Sequence, residues 1–328
     1  MKKFLVTGGS GFIGSNFIHH IFHKYCGIDY SNCCPEHVHY GIEEGFEGIE
    51  VMNVDCLTYA GKQENLEGID HLENYQFSNT NITDFRRMEE VFSEFKPDVV
   101  IHFAAESHVD RSITSGIEFV NSNVLGTQVL LDLSRKFQVE LFVHISTDEV
   151  YGSMEDGEAT EENRLFPSSP YSASKASSDL LAMSHHHTYG TPVIVTRCSN
   201  NFGPRQHDEK LIPKMISRAK EGRKLPVYGS GKQIRNWIHV KDHCEAVMMV
   251  INEGKIGDYY NIAGETEMSN IELIREILCM MGRTEDLVEY VDDRLGHDFR
   301  YGIDSEKLRK IGWNPRISLI DGLPGLIP

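Results

Sequence analysis

Short apolar runs alternate with longer amphipathic stretches from the start of the chain to about residue 200. The runs predicted to be buried strands are Phe4–Val6, Val51–Asp55, Tyr75–Phe77, Val99–Phe103, Leu141–Ile145 and Pro192–Thr196. The predicted helices begin near Phe12 and then cover Asp84–Phe95, Ile117–Phe137 and Pro170–Tyr189. Strands that alternate with helices in this way indicate an α/β fold with a doubly wound parallel sheet.

A glycine-rich loop follows the first predicted strand at once. Gly8, Gly11 and Gly14 form a Gly-x-x-Gly-x-x-Gly pattern, and Phe12 and Ile13 lie where the first helix begins. The missing β-carbons allow a tight turn and a close approach of the backbone to a pyrophosphate, which the helix N-terminus attracts. A plain turn is the alternative, but the strand before the loop and the helix after it favour a Rossmann-type dinucleotide site.

An acidic residue for the adenosine ribose is expected about 20 residues beyond such glycines. Asp55 ends the second predicted strand but lies farther from Gly14 than that. We attribute the excess to a surface insertion at about residues 27–48, which is rich in Gly, Glu and Cys. Asp29 is the rival for the ribose contact, but no strand-like run precedes it. An acid rather than an arginine at this position favours NAD over NADP.

The regular alternation ends at about residue 190, where prolines and glycines begin to interrupt short elements. We therefore expect a dinucleotide-binding domain at 1–190, which also receives about 236–262, and a smaller, mainly substrate-binding domain at 191–328. Basic residues gather in the second part, and a local cluster of them in an acidic protein suggests a diphosphate clamp, with solvated surface charge as the alternative. They are Arg205, Lys210, Lys214, Arg235, Arg294 and Arg300.

Polar residues follow the predicted strand Leu141–Ile145, at the edge of the sheet where ligands bind. Among them are Asp148 and Glu149. Downstream, Tyr171 and Lys175 stand at i and i+4 on one helical face. A lysine near a tyrosine favours the phenolate, which makes the tyrosine a usable general base. Oxidation of an alcohol alone does not require the two additional carboxyl groups of Asp148 and Glu149.

The charge balance limits the partners of the protein. Its 328 residues include 32 Lys and Arg against 49 Asp and Glu, a net charge of −17. This balance argues against sequence-independent nucleic-acid binding and against an anionic membrane surface. No apolar run approaches the roughly 18 residues of a membrane span, so we expect a cytoplasmic protein. The 7 cysteines form no paired Cys-x-x-Cys motif, which predicts reduced thiols and no metal site.

These motifs resemble a known family. The glycine loop with the Tyr-x-x-x-Lys pair is similar to the extended short-chain dehydrogenase/reductase superfamily. Within that superfamily, the chain resembles the dTDP-glucose 4,6-dehydratases over almost its whole length. The segments that carry the resemblance are Asp55–Gly61, Ala104–Ser112, Ser146–Gly152, Ser199–Pro204, Glu209–Pro213, Arg235–His239 and Arg294–Asp298. The triplet Thr147-Asp148-Glu149 is its most specific part.

The resemblance implies NAD-dependent dehydration of a nucleotide-activated glucose, above all dTDP-glucose, to the 4-keto-6-deoxy sugar. Tyr171 would remove the proton of the 4-hydroxyl while Thr147 hydrogen-bonds that oxygen. NAD would take the hydride from C4 and return it to C6. Glu149 would remove the C5 proton as general base, and Asp148 would protonate the departing 6-hydroxyl.

The resemblance also implies which residues bind the ligands, and that the protein is a homodimer through the helices around 117–137 and 171–188. The implied cofactor-binding residues are Gly8, Gly11, Phe12, Ile13, Gly14, Asp55, Thr58, Asn81, Ile82, Ala104, Tyr171 and Lys175. The implied substrate-binding residues are Ser107, His108, Asn200, Glu209, Lys210, Leu211, Arg235, Asn270, Arg294 and His297.

Some alternatives stay open on the sequence alone. Arg205, His207 and Asp208 depart from the more aromatic, proline-containing run that is usual in this family's nucleotide pocket, so thymine and uracil both remain candidates for the base. A 4-epimerase or a decarboxylase of the same superfamily is the nearer rival function, but epimerisation needs no acid–base pair at C5 and C6. A catalytically silent NAD-binding protein is the more distant rival.

Overall fold

The computed structural model describes residues 2–26 and 48–327. The predicted insertion at about 27–48, apart from its last residue, lies outside the described residues, and so does Asp29. None of the described helices is both long and apolar enough to cross a membrane.

Strands of the described residues form three sheets. The strands are β1 (Lys2–Thr7), β2 (Ile49–Val54), β3 (Tyr75–Ser78), β4 (Val99–His102), β5 (Leu141–Thr147), β6 (Val193–Cys198), β7 (Asn200–Phe202), β8 (Leu225–Tyr228), β9 (Ile234–His239), β10 (Tyr259–Ile262), β11 (Thr266–Ser269) and β12 (Val288–Val291). The main sheet is parallel throughout, in the order β10-β6-β5-β4-β1-β2-β3. This order contains the 3-2-1-4-5-6 arrangement of Rossmann folds, so the predicted fold class is confirmed.

Helices cover both faces of this sheet, and others lie with the smaller sheets. The α-helices of the described residues are α1 (Phe12–Cys26), α2 (Phe85–Phe95), α3 (Val109–Thr114), α4 (Ile117–Phe119), α5 (Thr127–Lys136), α6 (Pro170–Tyr189), α7 (Leu211–Lys220), α8 (Val240–Glu253), α9 (Asn270–Met280), α10 (Glu306–Lys310) and α11 (Leu319–Gly322). A π-helical stretch at Val120–Gly126 joins α4 to α5. The predicted helix Ile117–Phe137 is thus one helical path with a π segment inside it.

The alternation of side chains along β1 explains why both faces of the sheet are buried. Phe4 and Val6 belong to an apolar cluster with Phe17 of α1, whereas Leu5 belongs to a second cluster with Phe92 of α2 and with Phe142. Successive strand residues point to opposite faces, so each face has its own layer of helices. Truncation of a fully buried phenylalanine such as Phe142 to alanine would cost about 3–5 kcal/mol.

The remaining strands lie with the later part of the chain. One small sheet has the order β11-β9-β7, and β12 pairs with β8. A third apolar cluster lies here, between α7 and α9, with Met215 and Ile277 among its members. Two later elements belong to the main sheet and its helical layers: α8 packs on α1, and β10 pairs with β6 at the edge of the sheet.

Candidate active site

The glycine loop leaves no room for side chains. Gly8 has a φ of +71°, and a β-carbon there would lie 2.6 Å from the backbone nitrogen of Ala104. A β-carbon on Gly14 would lie 2.3 Å from the carbonyl oxygen of Gly8. The loop lines a cleft at the carboxyl ends of the central strands. Bare backbone at a helix N-terminus is what a pyrophosphate requires, so this part of the cleft fits a dinucleotide.

Asp55 sits beside the loop, just beyond the end of β2. Its Oδ2 accepts a 3.0 Å hydrogen bond from the Ser10 backbone N–H, and its Oδ1 accepts a 2.8 Å bond from that of Leu57. These bonds fix the carboxyl group, whose pKa burial raises above its usual value. Each oxygen retains a further lone pair, so the group fits the diol of a ribose. Every cofactor-binding residue implied by the sequence resemblance lines this same cleft.

The end of β5 and the first turn of α6 bring the catalytic candidates together. Thr147 ends β5, and a 3₁₀ turn at Asp148–Tyr151 follows it. Ser169 caps α6 because its hydroxyl oxygen accepts a hydrogen bond from the Ser172 backbone N–H, while the Ser172 hydroxyl oxygen accepts one from the Ser169 backbone N–H in return. This cap fixes where α6 begins, and so where Tyr171 and Lys175 enter the cleft.

The surroundings of Tyr171 differ from those that its spacing to Lys175 predicts. Lys175 Nζ donates a 2.7 Å hydrogen bond to the carbonyl oxygen of Ile145, and burial lowers the pKa of Lys175 to about 8. Burial, and next the charge of Glu149, raise the pKa of Tyr171 well above 10. The predicted phenolate is therefore not favoured by the protein groups around Tyr171.

Asp148 and Glu149 are neighbours in sequence with different electrostatic surroundings. Asp148 is buried; Thr147 donates a 3.2 Å hydrogen bond to its Oδ1, and its Oδ2 has no hydrogen-bond partner among the described residues. Burial, and next Glu149, raise the pKa of Asp148 well above its usual value. Burial also raises the pKa of Glu149, but the charges of Arg294 and Arg235 oppose this rise. The two carboxyl groups thus differ: burial favours the neutral, proton-donating form of Asp148 more strongly, whereas more cations favour the anion of Glu149.

A second part of the cleft continues from Glu149 towards the later part of the chain. All ten substrate-binding residues implied by the resemblance line it. The residues that line both parts of the cleft are Ser107, Glu149, Asn200, Glu209 and Lys210. The two halves therefore meet at these five residues, and Glu149 is the one of them that belongs to the catalytic candidates.

The structure adds functional candidates that sequence reasoning missed. Tyr228 donates a 3.0 Å hydrogen bond to Asp110 Oδ2, and Asp110 Oδ1 lies 3.6 Å from Arg294 Nη1. Tyr301 lies between Glu149 and Asp298. Asp110 falls inside the motif Ala104–Ser112, which could have drawn attention to it. No pattern along the chain connects Tyr301 to Glu149, because only the fold brings them together.

No group of three or more His, Cys, Asp or Glu side chains that could hold a metal ion occurs among residues 2–26 and 48–327. Cys56, Cys198, Cys244 and Cys279 are free thiols.

The parallel sheet, the glycine loop after β1 and the Tyr171–Lys175 pair on α6 define a dinucleotide-dependent enzyme of the short-chain dehydrogenase/reductase superfamily. Within that class, the chain belongs to the GDP-mannose 4,6 dehydratase family, whose model matches residues 37–324.

The similar proteins include two curated relatives and a solved structure. The chain is 46% identical to a low-salt glycan biosynthesis protein of Haloferax volcanii, over 98% of this chain and 96% of the relative. It is 44% identical to a dTDP-glucose 4,6-dehydratase of Streptomyces niveus, over 98% and 90% of the two chains. The crystal structure of a dTDP-glucose 4,6-dehydratase from Streptomyces venezuelae with NAD bound has a TM-score of 0.90 and 41% identity, covering 99% of this chain and 95% of that one. The resemblance to dTDP-glucose 4,6-dehydratases noted in the sequence is confirmed.

Proposed function

We propose that the protein catalyses the NAD-dependent 4,6-dehydration of dTDP-glucose to the 4-keto-6-deoxy sugar. The similarity to dTDP-glucose 4,6-dehydratases over nearly the whole chain supports this proposal. The observation that carries it is the unequal electrostatic environment of Asp148 and Glu149, side by side and next to Tyr171: burial raises both pKa values, that of Asp148 well above its usual value, while Arg294 and other cations oppose the rise for Glu149. An elimination of water needs one acid and one base at adjacent carbons, and this pair supplies both.

The cofactor site is assigned to the glycine loop and the end of β2. The backbone at Gly8, Gly11 and Gly14 holds the pyrophosphate, and the Asp55 carboxylate binds the adenosine ribose. When bound, NAD accepts the hydride from C4 of the sugar and returns it at C6, and the positive charge of its nicotinamide ring favours nearby anions.

The side chains of this protein move the protons. Thr147 holds the 4-hydroxyl oxygen of the sugar, and Tyr171 takes the proton of that hydroxyl. Once C4 is a ketone, the hydrogen at C5 is acidic, and Glu149 takes it as general base. The C6–O bond breaks as Asp148 gives its proton to the leaving oxygen, which departs as water.

The basic residues of the second half of the cleft orient the substrate. Arg235, Arg294 and Lys210 line this half of the cleft together with Glu149, and we assign them to the diphosphate. Asn270 and His297 line the same part of the cleft. Charge-assisted hydrogen bonds from arginine suit a diphosphate, and they fix the sugar relative to Tyr171.

Incubation with dTDP-glucose and, separately, with UDP-glucose tests this function. Mass spectrometry of the nucleotide sugar should record the loss of one water from dTDP-glucose, with slower loss or none from UDP-glucose. Conversion without a change of mass would make the protein a 4-epimerase instead. Equal rates on both substrates would retain the reaction but remove the specificity for thymine.

We also propose that the protein is a homodimer and that its two domains divide at about residue 190. The helical path from α4 to α5, together with α6, carries large exposed apolar side chains, which are Ile117, Val120, Leu125 and Leu180. Exposed apolar side chains on adjacent helices favour contact with a second copy. Light scattering behind a sizing column tests the dimer, and Leu180→Glu should shift it towards the monomer.

The separate apolar cluster between α7 and α9 supports the second domain.

A further inference from the structure

A chain of hydroxyl and carboxyl groups leads away from Glu149 on the side of the later residues. The Tyr301 hydroxyl lies 3.4 Å from Glu149 Oε2 and 2.9 Å from Asp298 Oδ2. The Ser168 hydroxyl donates a hydrogen bond to the same Oδ2 of Asp298. Tyr301 is only 3% exposed and Asp298 8%, whereas Ser168 is an exposed residue. The chain thus begins at the catalytic cleft, passes through the protein and ends at the surface.

The single hydrogen of the Tyr301 hydroxyl decides how this chain works. It can be donated to Glu149 or to Asp298, but not to both at once. The shorter distance, to Asp298, favours donation there, which leaves a lone pair of the phenol oxygen for a protonated Glu149. Burial raises the pKa of Tyr301 well above 10, so the phenol is neutral and keeps its hydrogen.

Other contacts hold these groups in place. Arg235 Nη2 donates a 3.0 Å hydrogen bond to the carbonyl oxygen of Asp298, and its guanidinium lies 4.3 Å from the centre of the Tyr301 ring. Arg235 therefore restrains both the ring of Tyr301 and the backbone of Asp298. Because the two residues are already restrained, little entropy is lost when they form a proton path.

We propose that Tyr301 and Asp298 form a proton relay that connects Glu149 with solvent at Ser168 during the dehydration. This inference rests on the proposed function, in which Glu149 takes the C5 proton. A nucleotide sugar in the cleft covers the side of Glu149 that lines it. The proton on Glu149 then exchanges with water through Tyr301.

The proton balance of the relay is simple. Glu149 takes the hydrogen from C5 as a proton, and the electron pair of that bond stays on the sugar. Glu149 then gives a proton to the Tyr301 oxygen as the hydrogen of Tyr301 passes to Asp298 Oδ2. Asp298 exchanges its proton with water through the Ser168 hydroxyl, and the reverse transfer delivers a solvent proton to Glu149 and from there to C5. No bond to carbon changes in the relay itself.

The deuterium content at C5 of the product, formed in heavy water, tests the relay. The variant is Tyr301→Phe, which retains the ring beneath Arg235 and removes only the hydroxyl. The matched control is Tyr260→Phe, which removes the hydroxyl of another buried tyrosine, one that accepts a hydrogen bond from the Lys255 backbone N–H and is not among the residues that line the cleft. The enzyme is used in a stoichiometric amount, so that even a slow variant yields enough product to measure. Each reaction is stopped within a single turnover. Product incubated with each enzyme in heavy water corrects for exchange after release.

Wild-type enzyme and Tyr260→Phe should place one deuterium at C5. Tyr301→Phe should return part of the original hydrogen and lower the deuterium content at least about twofold, because proton transfer without the relay is slower by about 10²-fold. An unchanged content in Tyr301→Phe would overturn the relay while the proposed dehydration stands. If the wild type forms no dehydrated product, the proposed function itself fails. If Tyr301→Phe forms no product, the deuterium content at C5 is measured with Asp298→Asn instead. A content lowered at least about twofold supports the relay, and an unchanged content overturns it.

Discussion

Lys175 donates a 2.7 Å hydrogen bond from Nζ to the carbonyl oxygen of Ile145, and so ties the helix that carries Tyr171 to the strand that carries Thr147. The ammonium group is buried, and burial lowers its pKa to about 8 from 10.5. Folding therefore works against the charged form of Lys175. The residue lies in the active site at a cost in stability.

Lys175→Met should separate catalysis from stability. We expect kcat to fall about 10²-fold, because Lys175 positions the helix that carries Tyr171, and a misplacement of about 1 Å in an active site costs roughly that much. We expect the melting temperature at pH 7 to stay equal or rise, because Met fills the same space without a charge. The pH dependence of this effect follows from the lowered pKa of Lys175. The charged side chain destabilises the folded protein fully below pH 8, and this destabilisation declines as the pH rises towards 10.5.

Activity assays and thermal unfolding at two pH values check this prediction. Any gain in melting temperature should be smaller at pH 9.5 than at pH 7. Lys136→Met, which removes a surface ion pair with Glu89, is the control and should leave kcat unchanged. A melting temperature lowered by several degrees in Lys175→Met would mean that the hydrogen bond to Ile145 outweighs the buried charge.

The paired variant Asp148→Asn/Glu149→Gln should still bind dTDP-glucose but scarcely dehydrate it. Both substitutions keep the size of the side chain and remove its proton chemistry. We expect product formation to fall about 10²- to 10⁴-fold, while the Kd by calorimetry changes less than about threefold. Near-normal dehydration by the double variant would remove these residues from the mechanism.

The dependence of kcat on pH should reveal the state of Glu149. Glu149 works as the carboxylate, so activity falls as the pH decreases through its pKa, which burial raises above the usual 4.5. The charge of Arg294 is the largest effect that lowers this pKa. Arg294→Met should therefore move the acid limb of the profile to higher pH. Lys214→Met, which removes another cation lining the same half of the cleft, serves as the control; an equal displacement in both variants would contradict the assignment.

Gly14→Ala should abolish retention of the cofactor. A β-carbon there meets the Gly8 carbonyl oxygen at 2.3 Å, and backbone cannot give way as a flexible side chain does. We expect wild-type protein to purify with NAD and the variant to purify without it, as measured by the nucleotide released on denaturation. Gly116→Ala is the control, because its β-carbon meets nothing nearer than 3.7 Å. Retention of NAD by Gly14→Ala would place the pyrophosphate elsewhere.

Local patterns in the sequence were enough to predict the elements that position the site. The alternation of strands and helices predicted the parallel sheet, because strands buried on both faces are apolar throughout. Pro170 marked the start of α6, since a proline fits the first turn of a helix. Gly8, Gly11 and Gly14 were identifiable because their role depends on a spacing within one loop.

Contacts between distant segments could not be predicted in this way. Tyr301 and Glu149 are 152 positions apart, and nothing in either neighbourhood indicates the other. The same holds for the electrostatics of Tyr171, where spacing to Lys175 predicted a phenolate. Burial and the charge of Glu149 dominate there, and both depend on the assembled fold.

The fate of the hydrogen at C4 tests the proposed dehydration most directly. dTDP-glucose labelled with deuterium at C4 is converted in ordinary water, and the product is examined by NMR. Dehydration with internal return of the hydride predicts that the deuterium appears at C6 of the 4-keto-6-deoxy sugar. Deuterium that remains at C4, as in an epimerase, or that is lost to water would contradict this mechanism.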